Sequence, residues 1–397
     1  MTPSARVQAA IEILDQVVAS ARDDGPPADA IVTAYFKTRR YAGSKDRRAV
    51  RELVFRAIRR SAEIADNGRS AMLGLSADDR EILDSFTGPP HGPDPVVKGE
   101  KRTRASLIPQ WVETELSPLV APAEWAALVQ RAPLDIRVNT ARTTREAMLE
   151  AFPGATLTPL SPWGLRLPAD TRVDQHPAFA EGLVEVQDEG SQLIALACGA
   201  KPGMRIVDLC AGAGGKALAL AAASANAAEI VACDTNRQRL SRLSPRADRA
   251  GATITTRLLD APREAEALVA LQGSADLVLV DAPCSGSGTW RRSPEGRWRL
   301  TPDRLDRVIA LQARVLDLAA PLVKSGGMLV YAACSLLSRE GADQVGAFLG
   351  RHSGWTVQDP LGDVGNGLGR SEGVGRLLTP AHDETDGFFV ARLIRSC

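Results

Sequence analysis

Two cysteines stand where a parallel sheet would deliver them. Leu277 to Val280 is a short apolar run that leads into Asp281-Ala282-Pro283-Cys284-Ser285-Gly286, and Met328 to Ala332 is another that leads into Ala333-Cys334-Ser335. A cysteine is most often a small buried filler. Two of them, each just after a strand-like run and each followed by serine, suit covalent chemistry better. The reactive form is the thiolate. With a free-thiol pKa of about 8.5 only roughly 3% is ionised at pH 7, and a local value near 7 would raise that to about half, for roughly 2 kcal/mol of electrostatic work.

A ring such as cytosine explains why a pair would be wanted. C5 of cytosine is a poor nucleophile, and addition of a thiolate to C6 makes it enamine-like and able to attack an electrophilic methyl group in line. C5 then carries a surplus proton that must leave before the enzyme-base bond breaks, so a second group is needed there. Asp281 is placed to hydrogen-bond the N3 and N4 edge of the base and stabilise charge as C6 is attacked. Spacing alone does not say which cysteine does which job.

A second feature points to a cofactor. Ile206 to Leu209 is a strand-like run followed by Cys210-Ala211-Gly212-Ala213-Gly214-Gly215-Lys216 and an Ala/Leu-rich helix. Glycines at a strand-to-helix turn let the backbone approach a ligand, and the helix start offers N–H groups. Gly212, Gly214 and Ala217 also satisfy the dinucleotide pattern GxGxxA, so a NAD-dependent oxidoreductase fits the same letters. Asp234 closes the next strand, 22 positions after Gly212, where it would hold ribose hydroxyls. Asp260 ends a third strand, within reach of an adenine amino group. Asp208, Asp234, Asp260 and Asp281 together favour a cationic sulfonium cofactor, S-adenosyl-L-methionine, over a pyrophosphate that they would repel.

The stretches DAPCSGSGTWRRSPEGRW (281–298) and LVYAACSLLSREGADQV (329–345) resemble the NOL/NOP/Sun family of RNA cytosine-5 methyltransferases, as do VQDEGSQLI (186–194), VDLCAGAGGK (207–216), 324–327 and DGFFVARL (386–393). The resemblance spans the whole C-terminal half in the family's order. It implies S-adenosyl-L-methionine as cofactor, Cys334 as the nucleophile and Cys284 as the residue that assists product release. Two departures stand out: CAGAGGK replaces CAAPGGK, keeping the glycine pair and the lysine, and Ala333 replaces the threonine beside the nucleophile. The N-terminal region is similar, more loosely, to the NusB-like domain of bacterial members that act on 16S rRNA; members acting on tRNA are the alternative.

These residues need elements to hold them. From residue 192 onward helices alternate with strands expected at Arg205 to Leu209, Glu229 to Cys233, Thr253 to Leu259, Ala275 to Val280, Met328 to Ala332 and Phe388 to Leu393, which predicts an α/β, doubly wound, Rossmann-like domain over 188–397. Before it, 99–187 reads as a small α/β RNA-facing segment, with a strand at Leu134 to Asn139, a Thr143/Glu146 capping box and strand pieces near Leu157 and Leu165. Residues 1–90 read as an all-helical module. Thr2 and Pro3 start a helix carrying Val7, Ile11, Leu14, Val17 and Val18, and Arg48 to Ala65 repeats the pattern. The Pro/Gly-rich 87–100 is a linker.

Composition bounds the partners. Lys plus Arg (48) equals Asp plus Glu (48), but residues 37–60 hold ten cations, including Lys37, Arg39 and Arg40, against Asp46 and Glu52. That block suits RNA phosphates, although most charge runs are merely a solvated helix face. Arg291, Arg292, Arg297 and Arg299 with Trp290 and Trp298 form an expected second RNA-contacting lip, phosphates to the arginines and a base to an aromatic. Six cysteines without CxxC spacing and four scattered histidines argue against zinc. No apolar run reaches a membrane span's length and no signal peptide is evident, so a cytoplasmic monomer is expected.

Overall fold

The computed structural model describes residues 1–23, 25–365 and 367–397. The chain divides into two compact units that do not follow chain order: Met1–Leu116, Ala121–Arg131 and Thr289–Pro302 form one, and Ser117–Val120, Ala132–Gly288 and Asp303–Cys397 the other.

The first unit is helical: α1 (Pro3–Arg22), α2 (Ala28–Lys37), α3 (Ser44–Arg60), α4 (Gly68–Leu75) and α5 (Arg80–Asp84). Thr2 caps α1 by accepting from Ala5 N–H at 3.2 Å, with Pro3 in the first turn. The expected stripe, Val7, Ile11, Leu14, Val17 and Val18, is buried. α3 buries Val50, Val54, Phe55 and Ile58 and turns Lys45, Arg47, Arg48 and Arg51 to solvent. It stops at Arg60, short of the expected Ala65, because Ser61 turns extended and its carbonyl accepts from Trp298 Nε1 at 2.9 Å. Residues 87–100 form neither helix nor strand, and Glu100 anchors the end of this stretch by pairing with Arg69.

The core of this unit takes in Trp298 from far along the chain. Next to it Arg297, 2% exposed, spans four backbone carbonyls: Pro294 (3.1 Å), Leu107 (2.8 Å), Ile58 (2.7 Å) and Arg59 (3.2 Å). Two of these are end-of-helix carbonyls with no partner inside α3. Removing the side chain leaves four acceptors to be rehydrated or orphaned. Arg297→Ala is therefore expected to cost about 3 kcal/mol in urea unfolding of the full chain followed by tryptophan fluorescence; a loss below about 0.5 kcal/mol would contradict this structural role.

The second unit holds two sheets among the described residues. The small one comprises β1 (Leu134–Val138), β2 (Thr156–Leu157), β3 (Gly164–Leu167) and β4 (Val184–Val186), antiparallel in the order β2-β3-β1-β4. Ile136, Val138, Leu165 and Val184 close its core with Met148 from the helix Arg145–Ala151 and Phe152 just after it. That helix is capped by Thr144, which accepts from Ala147 N–H at 3.2 Å, one residue later than the expected Thr143.

The large sheet contains β5 (Arg205–Asp208), β6 (Glu229–Asp234), β7 (Ile254–Leu258), β8 (Ala275–Asp281), β9 (Val323–Ala333), β10 (Trp355–Gln358), β11 (Arg370–Glu372), β12 (Gly375–Leu378) and β13 (Phe388–Arg395). Its order is β11-β12-β13-β9-β8-β5-β6-β7, with β10 also on β13. Strands β5 to β9 pair in parallel and β9 to β13 antiparallel. Ile206, Val207, Leu277 to Val280 and Leu329 to Ala333 are fully buried, as strands covered on both faces must be. The sequence did not announce β10 and β11, short edge pieces largely of polar or exposed residues, or β12, a four-residue strand that buries Leu377 and Leu378.

Candidate active site

The register aligns the carboxyl ends. Asp208 on β5 lies opposite Leu279 of β8 and Ala232 of β6, and Asp281 ends β8 opposite Ala332 of β9. Asp208, Asp234, Asp281 and, one residue past β9, Cys334 thus meet at one sheet edge, where open α/β sheets bind their ligands.

The glycine loop is built by conformation and by space. Gly212 has φ +56° and Gly214 φ +84°, and a Cβ on Gly214 would come within 2.5 Å of the Leu243 side chain. Gly214 opens the helix Gly215–Ala223 without a side-chain cap, leaving its first N–H groups directed at the sheet edge. Ala211 N–H donates to Cys233 O at 2.8 Å, and Arg246 donates to Ala213 O at 2.5 Å; Cys210 is half-buried between them. Asp234 is a brace as well as a candidate ligand: it accepts from Gly212 N–H at 2.8 Å and from Asn236 N–H at 2.6 Å. Asp260 stands apart, its side chain 71% exposed and paired with Arg263 at 2.7 Å.

Asp208 is 1% exposed and neither carboxyl oxygen has a hydrogen-bond partner. Burial first, then the Asp281 charge, pushes it up to about 7, with Lys216 pulling the other way. An orphaned carboxyl under the glycine loop fits a cationic cofactor. It also makes stability depend on pH. The folded value lies above the unfolded value of about 3.9, so the native state holds an extra proton between them; this contribution is complete below about pH 4 and lost as pH rises through about 7. Asp208→Asn, which cannot ionise, is expected to gain on the native chain by an amount growing from pH 5 to pH 8, up to roughly 4 kcal/mol in urea unfolding. A difference flat across that range would count against a buried, partnerless carboxyl.

Lys216, from the first turn of that same helix, donates to Asp281 at 2.6 Å and lies 5.4 Å over the Phe388 ring. Burial pulls its pKa down, but the Asp281, Cys334 and Asp208 charges outweigh that and hold it above the ordinary lysine value. A buried ammonium facing Cys334 is the positive charge a thiolate there needs.

The two sulfurs approach to 3.0 Å. Cys284 is pushed well above the ordinary thiol range, chiefly by its hydrogen bond to Cys334, then by burial and by the Cys334 and Glu340 charges. Serines 285 and 335, adjacent to the cysteines, both donate to Glu340. That glutamate was missed from sequence; its only signal was a carboxylate six residues past Cys334 in the same motif.

The expected arginine lip is corrected. Trp290, Arg291 and Trp298 are buried and Arg292 is half-buried. Arg297 holds carbonyls as described, and Arg299 donates to Gly25 O at 2.8 Å and Pro26 O at 2.6 Å. Trp298 lies in the helical unit's core and Trp290 and Arg297 are buried, so Arg297 and the two tryptophans are not available to phosphate or base. In the basic block, Lys37 and Arg40 are exposed, whereas Arg39 stacks 3.6 Å over the Tyr35 ring and pairs with Glu12 at 3.3 Å.

Residues 195–394 match the family described as 16S rRNA methyltransferase RsmB/F. The chain is 35% identical over 297 residues to ribosomal RNA small subunit methyltransferase B of Salmonella typhi, a match covering 73% of this chain and 66% of that one. It thus spans about two thirds of that relative's length. Among solved structures, PH0851 superposes with a TM-score of 0.79 at 23% identity over 99% of both chains. NSun6 from Pyrococcus horikoshii superposes at 0.63 and 18% identity over 73% of this chain and 99% of its own. Both show the fold. With the family match covering half of the chain and the cysteines, glycine loop and carboxylates at one sheet edge, this chain belongs to the 16S rRNA methyltransferase RsmB/F family.

Proposed function

We propose that this protein transfers a methyl group from S-adenosylmethionine to C5 of a cytosine in RNA, with 16S rRNA as substrate, through a covalent bond between Cys334 and C6. The observation that carries this reading is the pair of sulfurs 3.0 Å apart at the sheet edge shared with Lys216, Asp281 and the glycine loop. S-adenosylmethionine supplies an electrophilic methyl group on a cationic sulfur. Support for it comes from the orphaned Asp208, from Asp234 and the glycine backbone, and from the NSun6 structure, obtained with SFG.

Lys216 stabilises the Cys334 thiolate before attack on C6. Asp281, already hydrogen-bonded to Lys216, faces the polar edge of the base and balances charge as the ring loses its aromaticity. Cys284 takes up the surplus C5 proton as its own passes to water; the C5–H electron pair restores the C5–C6 double bond and the C6–S bond breaks with Cys334 leaving as thiolate. The base must be single-stranded or flipped out to meet the sulfur, and the exposed Lys37, Arg40, Arg47 and Arg48 of the helical unit offer contacts to backbone phosphates.

Incubation with tritiated S-adenosylmethionine and RNA from cells lacking the protein, followed by size separation and nucleoside analysis, tests this. Label in 5-methylcytosine of small-subunit RNA is the expected result. Label in tRNA would keep the chemistry and overturn the substrate, and an absence of RNA label would overturn both.

A further inference from the structure

Beneath the two cysteine loops lies a carboxylate that the proposed chemistry does not use. Glu340 ends the turn Ser338–Glu340 and is 0% exposed. Its Oε1 accepts from Ser285 N–H at 2.7 Å and from the Gln312 amide at 3.0 Å; its Oε2 accepts from the hydroxyls of Ser285 and of Ser335, the latter at 2.5 Å. Four neutral donors thus occupy both oxygens, which is how a buried anion is held without a paired cation. Ser285 follows Cys284 and Ser335 follows Cys334, so one side chain grips both loops at the residue beside each thiol. Gln312 strengthens the grip by donating also to Pro283 O at 2.9 Å, and Tyr331 fixes the glutamate's own backbone by donating to Glu340 O at 2.7 Å.

We infer that Glu340 is a positioning residue that sets the separation of the two sulfurs and makes Cys334 the more reactive of the two. The inference rests on Cys334 being the nucleophile of the proposed reaction. A fixed negative charge disfavours a second one next to it. Glu340 accepts twice from Ser285, beside Cys284, and once from Ser335, beside Cys334, and Gln312 ties it to Pro283 as well, so its carboxylate is held more closely to the Cys284 loop. The asymmetry in charge runs the same way as the division of labour between the thiols.

Substoichiometric alkylation of the full chain with iodoacetamide at neutral pH, with peptide mass spectrometry of both cysteines, reads this division directly. In the native protein Cys334 is expected to label about tenfold faster than Cys284. Glu340→Gln keeps the size and removes the charge, and the ratio is expected to fall by about threefold. Glu340→Ala also releases the loops, and the ratio should approach one. Equal labelling in the native chain overturns the inference, as does an unchanged ratio in Glu340→Gln; the glutamine variant decides even if the alanine variant fails to fold. Labelling needs neither RNA nor S-adenosylmethionine. A chain with the expected ratios that never methylates RNA would therefore support the positioning role while overturning the proposed function.

Discussion

Cys334→Ala is expected to abolish methyl transfer while leaving RNA binding intact. In the proposed reaction this sulfur is the one that adds to C6, and without addition C5 stays too electron-poor to attack a methyl group. Removal of a covalent nucleophile commonly costs on the order of 10⁴- to 10⁶-fold in rate. Alanine is small enough for the half-buried position, and the neighbouring Ser335 and Glu340 contacts remain, so folding is spared. The check is a single-turnover assay with tritiated S-adenosylmethionine, read beside a filter-binding titration of the same RNA. Full turnover in this variant would sink the mechanism, and loss of RNA binding would mean that the cysteine is structural.

Cys284→Ala is expected to do the opposite to the intermediate: methyl transfer proceeds, and the RNA stays attached. The Cys284 thiol, 3.0 Å from Cys334, is held well above the ordinary thiol range, so it is suited to take up the C5 proton while passing its own to water rather than to attack. With the relay gone the C5 proton leaves slowly, the C6–S bond cannot break, and a denaturation-resistant protein–RNA adduct accumulates on gels. The double variant with Cys334→Ala should show none. A single variant that releases methylated RNA at the native rate would remove Cys284 from the elimination step.

The sequence made the sheet legible because its strands are short apolar runs that end on Asp or Cys, a pattern that only a sheet with functional carboxyl ends produces. Asp208, Asp234 and Asp281 and both cysteines could be placed before any coordinate was known, since register needed no more than the runs themselves. Arg297 and Trp298 could not. Alternating Arg and Trp reads as surface, and what buries them is a partner some 240 residues earlier. Glu340 was hidden for the same reason: its donors Gln312 and Ser285 lie 28 and 55 residues away, and no local spacing reports a contact of that kind. Thr144 in place of Thr143 as a cap shows the smaller error, that either of two adjacent threonines can start a helix until packing chooses.

The placement of Trp298 has a consequence for how the protein is made. The N-terminal helices leave the ribosome first, yet the tryptophan that fills their core and the arginine that caps α3 follow some 240 residues later. At roughly 5–20 residues per second that is a delay on the order of ten to fifty seconds. During this interval the apolar core of the helical unit lacks its final member. The helical unit is thus translated well before it can be finished, and in that interval it is a natural client for a chaperone that holds nascent helices.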